Sequence, residues 1–221
     1  MAELGERVII AMDGPAGSGK STVARKVAEK LGLLYLDSGA MYRAVTVLAI
    51  QHNTQANIGK LIELVIDCEI AFDDNGKKIF LNSADVSDQI RTPEVNRLVA
   101  DIAKVPEIRK EIVRHQQKIG ADGGIIAEGR DLTTVVFPHA DFKIYLDASV
   151  HERAKRRFAE LKSQNVDTTL ESVENEIKTR DEKDTSREHS PLRAAEDAIQ
   201  VDTTGKSIDE VVDIIVGIVA N

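Results

Sequence analysis

A glycine-rich segment near the start of the chain constrains the fold more than any other feature. Its sequence, GPAGSGKS over residues 14–21, fits the phosphate-binding pattern of Gly, four residues, Gly, Lys and Ser or Thr. An apolar run at 8–12 precedes it, and residues 21–31 follow with apolar side chains on one helical stripe. This order of strand, loop and helix is the context that the motif requires, so the chain is predicted to bind nucleotide phosphates.

The residue types of the loop suit an anionic ligand. Glycines let backbone N–H groups and the start of the following helix surround a phosphate. Lys20 supplies a positive charge for the β and γ phosphates, and the Ser21 hydroxyl is placed to bind Mg²⁺. The predicted ATP-binding residues are Gly14, Pro15, Ala16, Gly17, Ser18, Gly19, Lys20, Ser21 and Thr22. The alternative, a glycine-rich turn that matches by chance, does not explain the strand and helix on either side.

Short apolar runs recur along the chain and predict the fold class. Four runs at 33–36, 124–127, 142–146 and 198–201 join the one at 8–12, with helical patterns between them. They predict an α/β three-layer P-loop fold in which a five-stranded parallel sheet is flanked by helices. Residues 69–82 interrupt this rhythm, since Asn75-Gly76 between two strand-like runs indicates a tight hairpin and an inserted antiparallel piece.

Local signals mark several helix starts and one polar segment. Thr92 before Pro93 is typical of a first helical turn, and two Ser-x-x-Glu patterns, at 149–152 and 207–210, predict capping boxes. The polar stretch at 162–191 is the best candidate for a mobile segment.

Composition excludes several functional classes. No apolar run approaches the roughly 20 residues of a membrane span, and the first residues resemble no secretion leader, so a soluble, cytoplasmic protein is expected. The formal charge of -8 argues against a protein that coats nucleic acid, and local arginines must therefore bind any phosphates. Cys68 is predicted to be buried filler rather than a reactive thiol, and the five histidines lack metal-ligand spacing.

Three further blocks resemble bacterial cytidylate kinases. They are LDSGAMYR at 36–43, EGRD at 128–131 and the arginine-flanked stretch 180–187. Shorter matches at 90–92, 106–109, 135–138 and 146–148 extend the similarity over nearly the whole chain in the same order. The resemblance implies a nucleoside monophosphate kinase.

The family likeness also implies a division of one domain, 1–221, into three parts. The core would comprise 6–36, 121–150 and 195–221. The acceptor-binding region would be 37–120, with a small-sheet insertion at about 63–91, and a helical lid would cover about 151–190.

The resemblance assigns roles to the acceptor site. Arg43 and Arg130 would hold the acceptor phosphate, and Arg109 and Asp131 would read the pyrimidine edge. An aspartate can accept a hydrogen bond from the exocyclic amine of cytosine, which uracil lacks, so CMP and dCMP are expected to be better acceptors than UMP. The implied acceptor-binding residues are Ser38, Tyr42, Arg43, Arg109, Arg130, Asp131, Arg180, Asp184 and Arg187, of which Ser38, Asp184 and Arg180 contact the sugar.

The implied reaction is transfer of the γ-phosphate of MgATP to CMP or dCMP, with Mg²⁺ as cofactor. Arg153, Arg156 and Arg157 share one helix face, which a solvated charged helix would also explain. By the family likeness, the catalytic residues would be Lys20, Arg153, Arg157, Arg180 and Arg187, with the arginines closing over the transferring phosphoryl group. Ser21 would bind the metal directly and Glu128 through water. A monomer that binds only small-molecule substrates is expected.

Three positions depart from the family pattern, and two alternative functions stay open. Glu128 stands where Asp is common, Ala100 where a Ser contacts the base, and Thr133 where Gly is common. Glu128 bears on the geometry of the metal site, and Ala100 and Thr133 bear on base selectivity. The alternatives are a kinase of the same fold that acts on AMP, UMP or shikimate, and a P-loop switch or regulatory ATPase. The latter would need no second arginine cluster.

Overall fold

The structure, a computed structural model, describes residues 7–73 and 76–220. In chain order its elements are β1 (Ile9–Asp13), α1 (Lys20–Leu31), β2 (Leu34–Asp37), α2 (Ser38–Gln51), α3 (Ile58–Asp67), β3 (Ile70–Phe72), β4 (Ile79–Leu81), β5 (Ala84–Asp85), α4 (Pro93–Ala103), α5 (Pro106–Ile119), β6 (Ile125–Gly129), β7 (Phe142–Asp147), α6 (Val150–Ser163), α7 (Leu170–Thr185), β8 (Ile199–Asp202) and α8 (Ile208–Val219). A 3-10 turn at Gln89–Arg91 precedes α4, and a π-helical turn at Leu132–Val136 follows β6.

The predicted five-stranded sheet is confirmed. Its strand order is β2-β6-β1-β7-β8, and every neighbouring pair is parallel. All five predicted apolar runs form its strands. Because the carboxyl ends of parallel strands meet at one edge of the sheet, the residues that follow β1, β2 and β6 are brought together there.

Helices cover both faces of the sheet, as predicted. Side chains alternate between the faces along a strand, so Ile10 and Met12 on β1 pack in the cluster with α1 and α8, whereas Ala11 packs in the cluster with α2 and α5. A third and smaller cluster, with Ala154 and Val173 at its centre, joins α6 to α7. The α6–α7 pair therefore has a small apolar core of its own.

The small antiparallel sheet has the strand order β3-β4-β5. The predicted hairpin is present, but residues 73–78 separate its strands, so the connection is longer than a two-residue turn. Asp73 explains this length, because its N–H donates to the Lys78 carbonyl (3.3 Å) and its carboxylate accepts from the Lys77 and Lys78 N–H groups (2.7 and 3.1 Å). Asn75 lies outside the described residues.

The predicted helix starts are confirmed, with one difference. Thr92 and Ser207 accept hydrogen bonds from backbone N–H groups at the starts of α4 and α8, and the second of these is a complete capping box. Ser149 likewise caps α6, but the box there is incomplete because the Glu152 carboxylate accepts a hydrogen bond from Arg156 instead (3.1 Å). The hydrogen bond from Arg156, one turn along the same helix, thus takes the place of the reciprocal contact to Ser149 that the Ser-x-x-Glu pattern predicts.

Cys68 is buried, and its thiol donates to the Val65 carbonyl. The polar stretch 162–191 contains the whole of α7. No helix in the described part of the chain is long and apolar enough to cross a membrane.

Candidate active site

The phosphate-binding loop connects β1 to α1 through backbone geometry that glycine alone accommodates. Gly14 has φ of 152°, and a Cβ added there would lie 2.0 Å from the carbonyl oxygen of Leu146 on β7. Gly19 adopts a left-handed conformation with φ of 95° directly before α1. The loop thus lies against the end of β7 and leads into a helix N-terminus, where backbone N–H groups are available to an anion.

Lys20 lies inside this loop. Its buried Nζ donates a hydrogen bond to the Pro15 carbonyl (2.7 Å). Burial, followed by the charge of Arg130, lowers the pKa of Lys20 to about 7, against the opposing charges of Glu128 and Asp13. The side chain is therefore desolvated and close to a second cation, and a bound anion would stabilise its charged form.

The predicted metal ligands lie in contact with each other. Ser21 Oγ donates to Glu128 Oε1 (2.6 Å), and the Tyr35 hydroxyl donates to the same oxygen (3.3 Å). Burial and the Glu128 charge raise the pKa of Asp37 to about 6, even though its carboxylate caps α2. A buried carboxyl group and a half-buried one, which repel each other beside a hydroxyl, suit a divalent cation.

The donor set fits Mg²⁺ held jointly with a nucleotide. Mg²⁺ is usually bound by one or two carboxylates together with substrate phosphates. Within the described ranges, no group of three or more His, Cys, Asp or Glu residues could hold a metal ion by itself.

The first part of the predicted acceptor site is carried by α2. Arg43 projects from this helix and donates to the Ile90 carbonyl (3.4 Å) and to the side chain of Asn96. Ser38 is buried at the start of the helix. A Cβ added to Gly129 would lie 2.3 Å from Ser38 Oγ, so the ends of β2 and β6 are in close contact.

The two residues predicted to read the base form a buried ion pair. Arg109 on α5 and Asp131 after β6 are 6% and 3% exposed, and the guanidinium Nη2 donates to the carboxylate. Arg109 also donates to the Ala103 carbonyl (2.9 Å), and its guanidinium lies 5.2 Å from the centre of the Tyr42 ring. Three predicted acceptor residues are therefore in one cluster.

Asp184 on α7 binds two further arginines of the predicted acceptor site. Its buried carboxylate accepts from Arg130 Nε (2.9 Å) and from Arg187. Arg130 belongs to the turn after β6, so this contact connects the sheet edge to the α6–α7 pair.

Arg180 adds an exposed cation to this group. No hydrogen bond or ion pair joins its guanidinium to the residues that the structure describes. Desolvation by its surroundings, then the charge of Arg130 and more weakly that of Arg43, lowers the pKa of Arg180, while Asp184 raises it. The Arg180 charge also acts on Lys20. Gly129 on β6 pairs with Asp13 on β1, directly before the loop, so Arg130 and its partner Asp184 lie at the same edge of the sheet as the phosphate loop.

The two catalytic arginines predicted on α6 have different surroundings. Arg153 is buried and donates to the Ala16 carbonyl of the phosphate loop (3.0 Å) and to Asp181 on α7 (2.6 Å). Arg157 is about half exposed and pairs with Glu160 (2.7 Å). Arg153 thus connects the loop to α7, and the predicted role of both arginines over a phosphoryl group stays a prediction.

Two connections around the loop were missed by sequence reasoning. Arg156 donates to the Thr203 carbonyl (2.7 Å) and hydroxyl (2.9 Å), and the Thr203 hydroxyl donates to the Ser18 carbonyl (3.3 Å). Asp13 accepts three hydrogen bonds from the turn after β6. Only the position of Asp13 at the end of a parallel strand, where functional side chains concentrate, could have indicated it.

Fold and site together define a P-loop protein in which a phosphate-binding loop lies beside a second cluster of cations. The model of the cytidylate kinase family matches residues 10–221. A cytidylate kinase from Carboxydothermus hydrogenoformans is 53% identical over 207 residues, which cover 92% of this chain and 93% of the relative. One from Bacillus thuringiensis (strain Al Hakam) is 47% identical over 218 residues, 97% of each chain. The chain belongs to the cytidylate kinase family.

One solved structure shares the fold at low sequence identity. An uncharacterized protein from Eubacterium ventriosum aligns with a TM-score of 0.54 and 15% identity, over 97% of this chain and 99% of the other. This likeness concerns the fold alone.

Proposed function

We propose that the protein is an enzyme that transfers the γ-phosphate of MgATP to CMP or dCMP, giving ADP and CDP or dCDP. The observation that carries the proposal is the arginine cluster beside the phosphate loop: Arg130 directly follows Gly129, which pairs with Asp13 at the start of the loop, and Arg153 donates to the Ala16 carbonyl within the loop. Two neighbouring sites for anions suit a donor and an acceptor that meet through their phosphates. Membership of the cytidylate kinase family supports the same reaction.

The donor site consists of the loop and the start of α1. Backbone N–H groups within residues 14–22, Pro15 excepted, bind the ATP phosphates, and Lys20 exchanges its hydrogen bond to the Pro15 carbonyl for phosphate oxygens. Mg²⁺ would supply charge neutralisation at the phosphates when bound. Ser21 would provide a hydroxyl ligand, and Glu128 would hold the ion through water.

The acceptor site consists of α2, α5, α7 and the turn after β6. Arg43 and Arg130 bind the CMP phosphate, while Arg109 and Asp131 read the cytosine edge. The remaining contacts are made by Ser38, Tyr42, Arg180, Asp184 and Arg187. The Arg109–Asp131 pair satisfies both buried charges in the absence of the base, so the site is preorganised.

Phosphoryl transfer then requires positioning and charge neutralisation rather than a general base. An oxygen of the CMP phosphate is already anionic and attacks the γ-phosphate in line. Lys20, Arg153, Arg157, Arg180 and Arg187 offset the charge that develops on the equatorial oxygens. For this step Arg157 has to leave its pair with Glu160.

The proposed division into a core, an acceptor-binding region and a lid would allow the active site to exclude water. The α6–α7 pair has its own apolar cluster, which suits a helical lid at about 151–190 that moves as a unit over the core and the acceptor-binding region 37–120. Closure excludes water and thereby limits ATP hydrolysis. A monomer that acts in the cytoplasm is proposed from the family likeness alone.

An acceptor panel tests the proposal. CMP, dCMP, UMP, AMP and shikimate are each incubated with MgATP, and ADP and the phosphorylated product are both quantified. CMP and dCMP should give the highest kcat/KM, and Lys20→Ala should abolish the product. ADP release that does not depend on any acceptor would instead identify a regulatory ATPase, and a preference for AMP or shikimate would identify another kinase of this fold.

A further inference from the structure

A buried carboxylate connects the phosphate loop to the turn that carries Arg130 and Asp131. Asp13 is the last residue of β1, directly before the loop, and is 0% exposed. Its Oδ1 accepts from the Leu132 N–H (2.9 Å), and its Oδ2 accepts from the N–H and the hydroxyl of Thr133 (both 2.7 Å). Three donors from two consecutive residues therefore converge on one carboxylate.

Loss of these hydrogen bonds would lower the free energy of unfolding. A buried carboxylate is strongly destabilising unless it is hydrogen-bonded. Burial raises the pKa of Asp13 to about 6, and the three donors of Leu132 and Thr133 oppose this rise. Two of the donors are backbone N–H groups, which any residue except proline supplies, but the third depends on the hydroxyl of Thr133.

The turn held by Asp13 also presents the acceptor residues. Directly before Leu132 and Thr133, the Asp131 carboxylate binds Arg109 and the Arg130 guanidinium binds Asp184. The Asp131 carbonyl in turn accepts the Val135 N–H (2.9 Å) in the π-helical turn. Asp131 is therefore held directly beside the Leu132 N–H that donates to Asp13, so a shift of the Asp13 contacts would also move the Asp131 side chain.

We infer that Asp13 and Thr133 are positioning residues that fix the orientation of the base-reading carboxylate of Asp131 relative to the phosphate loop. The inference rests on the proposed role of Asp131 in acceptor binding. The Asp13 carboxylate acts through the turn and touches no substrate, so its effect is on acceptor alignment and on discrimination between cytosine and uracil. The Thr133 hydroxyl sets the precision of this alignment.

Replacement of Thr133 tests the inference without removing a buried charge. Thr133→Val keeps the shape of the side chain and removes the hydroxyl, whereas Thr133→Ser keeps the hydroxyl. Loss of a hydrogen bond to a charged group should raise the KM for CMP by about tenfold in Thr133→Val. The CMP-to-UMP ratio of kcat/KM should fall and the KM for ATP should stay unchanged, whereas Thr133→Ser should keep all three values at the wild-type level.

A matched control and a second variant separate the possible outcomes. Thr134→Val makes the same change one residue further, where the hydroxyl has no part in the Asp13 contacts, and should leave all these values at the wild-type level. An equal rise of the KM values for CMP and ATP in Thr133→Val, or no change in either, would overturn the inference. Asp131→Asn tests the proposed function separately. If it leaves the CMP-to-UMP ratio unchanged, Asp131 does not read the base, and the inference falls together with that proposed role. If Asp131→Asn lowers the ratio and Thr133→Val does not, only the inference is overturned.

Discussion

The Arg109 guanidinium and the Asp131 carboxylate form an ion pair in which both side chains are less than one-tenth exposed. They come from α5 and from the turn after β6, so the pair joins the acceptor region to the edge of the central sheet. In the proposed complex, both partners keep this contact while they turn their remaining hydrogen-bonding positions to the base.

Arg109→Ala should be strongly destabilising. It leaves the Asp131 carboxylate buried without its partner, which typically costs about 3–5 kcal/mol in the free energy of unfolding. Arg114→Ala on the same helix is the matched control. The Arg114 side chain pairs with Glu111 but is 60% exposed, so this pair should contribute less than about 1 kcal/mol to stability. Urea denaturation measures both. Equal losses of unfolding free energy in the two variants would show that the buried pair contributes no more to stability than the exposed one.

Lys20 should take up a proton when ATP binds. In the free protein its pKa is about 7, so the side chain is largely neutral at about pH 8. Phosphate oxygens beside Nζ favour the charged form and raise the pKa, and binding should therefore take up about one proton at about pH 8 and almost none at about pH 6. Titration calorimetry in buffers of different ionisation enthalpy measures the uptake.

The control for this proton uptake is another lysine of α1. Lys26→Met removes an exposed side chain that pairs with Asp209 and should leave the uptake unchanged, whereas Lys20→Met should abolish it. Uptake of the same size in Lys20→Met would assign the proton to a different group.

The sheet and the phosphate loop could be predicted from the sequence because their signals are local. Apolar runs bounded by helical patterns identified all five strands, and residues 14–21 identified the loop. The contacts of Arg153 and Asp13 could not be predicted, since their partners lie far away in the sequence at Asp181 and Thr133. Spacing on one helix places arginines on a common face, but it does not tell which of them is buried against a backbone carbonyl and which is exposed.

The Glu152 capping box shows the same limit on a smaller scale. The Ser-x-x-Glu pattern predicts a reciprocal pair, yet the Glu152 carboxylate binds Arg156 one turn further along α6. Two local partners compete for one side chain, and surrounding structure decides between them.

Glu128 should govern the requirement for Mg²⁺. Its carboxylate accepts the Ser21 hydroxyl, so Glu128→Gln removes the negative charge while the shape of the site is kept. The Mg²⁺ concentration for half-maximal activity should rise by about tenfold, the lower end of the effect of outer-sphere metal partners. Glu128→Asp retains the charge and should shift it less. A Mg²⁺ titration at fixed ATP measures both, and an unchanged requirement in Glu128→Gln would remove Glu128 from the metal site.

Gly14→Ala should abolish ATP binding while the remainder of the fold stays intact. The added Cβ would lie 2.0 Å from the Leu146 carbonyl oxygen, a backbone atom that cannot move away without a shift of β7 or of the loop. Gly217→Ala is the matched control, because its Cβ would meet nothing within 4 Å and an alanine stabilises a helix interior by about 0.5–1 kcal/mol. A thermal shift with ATP measures binding, since a ligand that binds only the native state raises its Tm. A wild-type shift in Gly14→Ala would mean that the loop does not need its close approach to β7 to hold the phosphates.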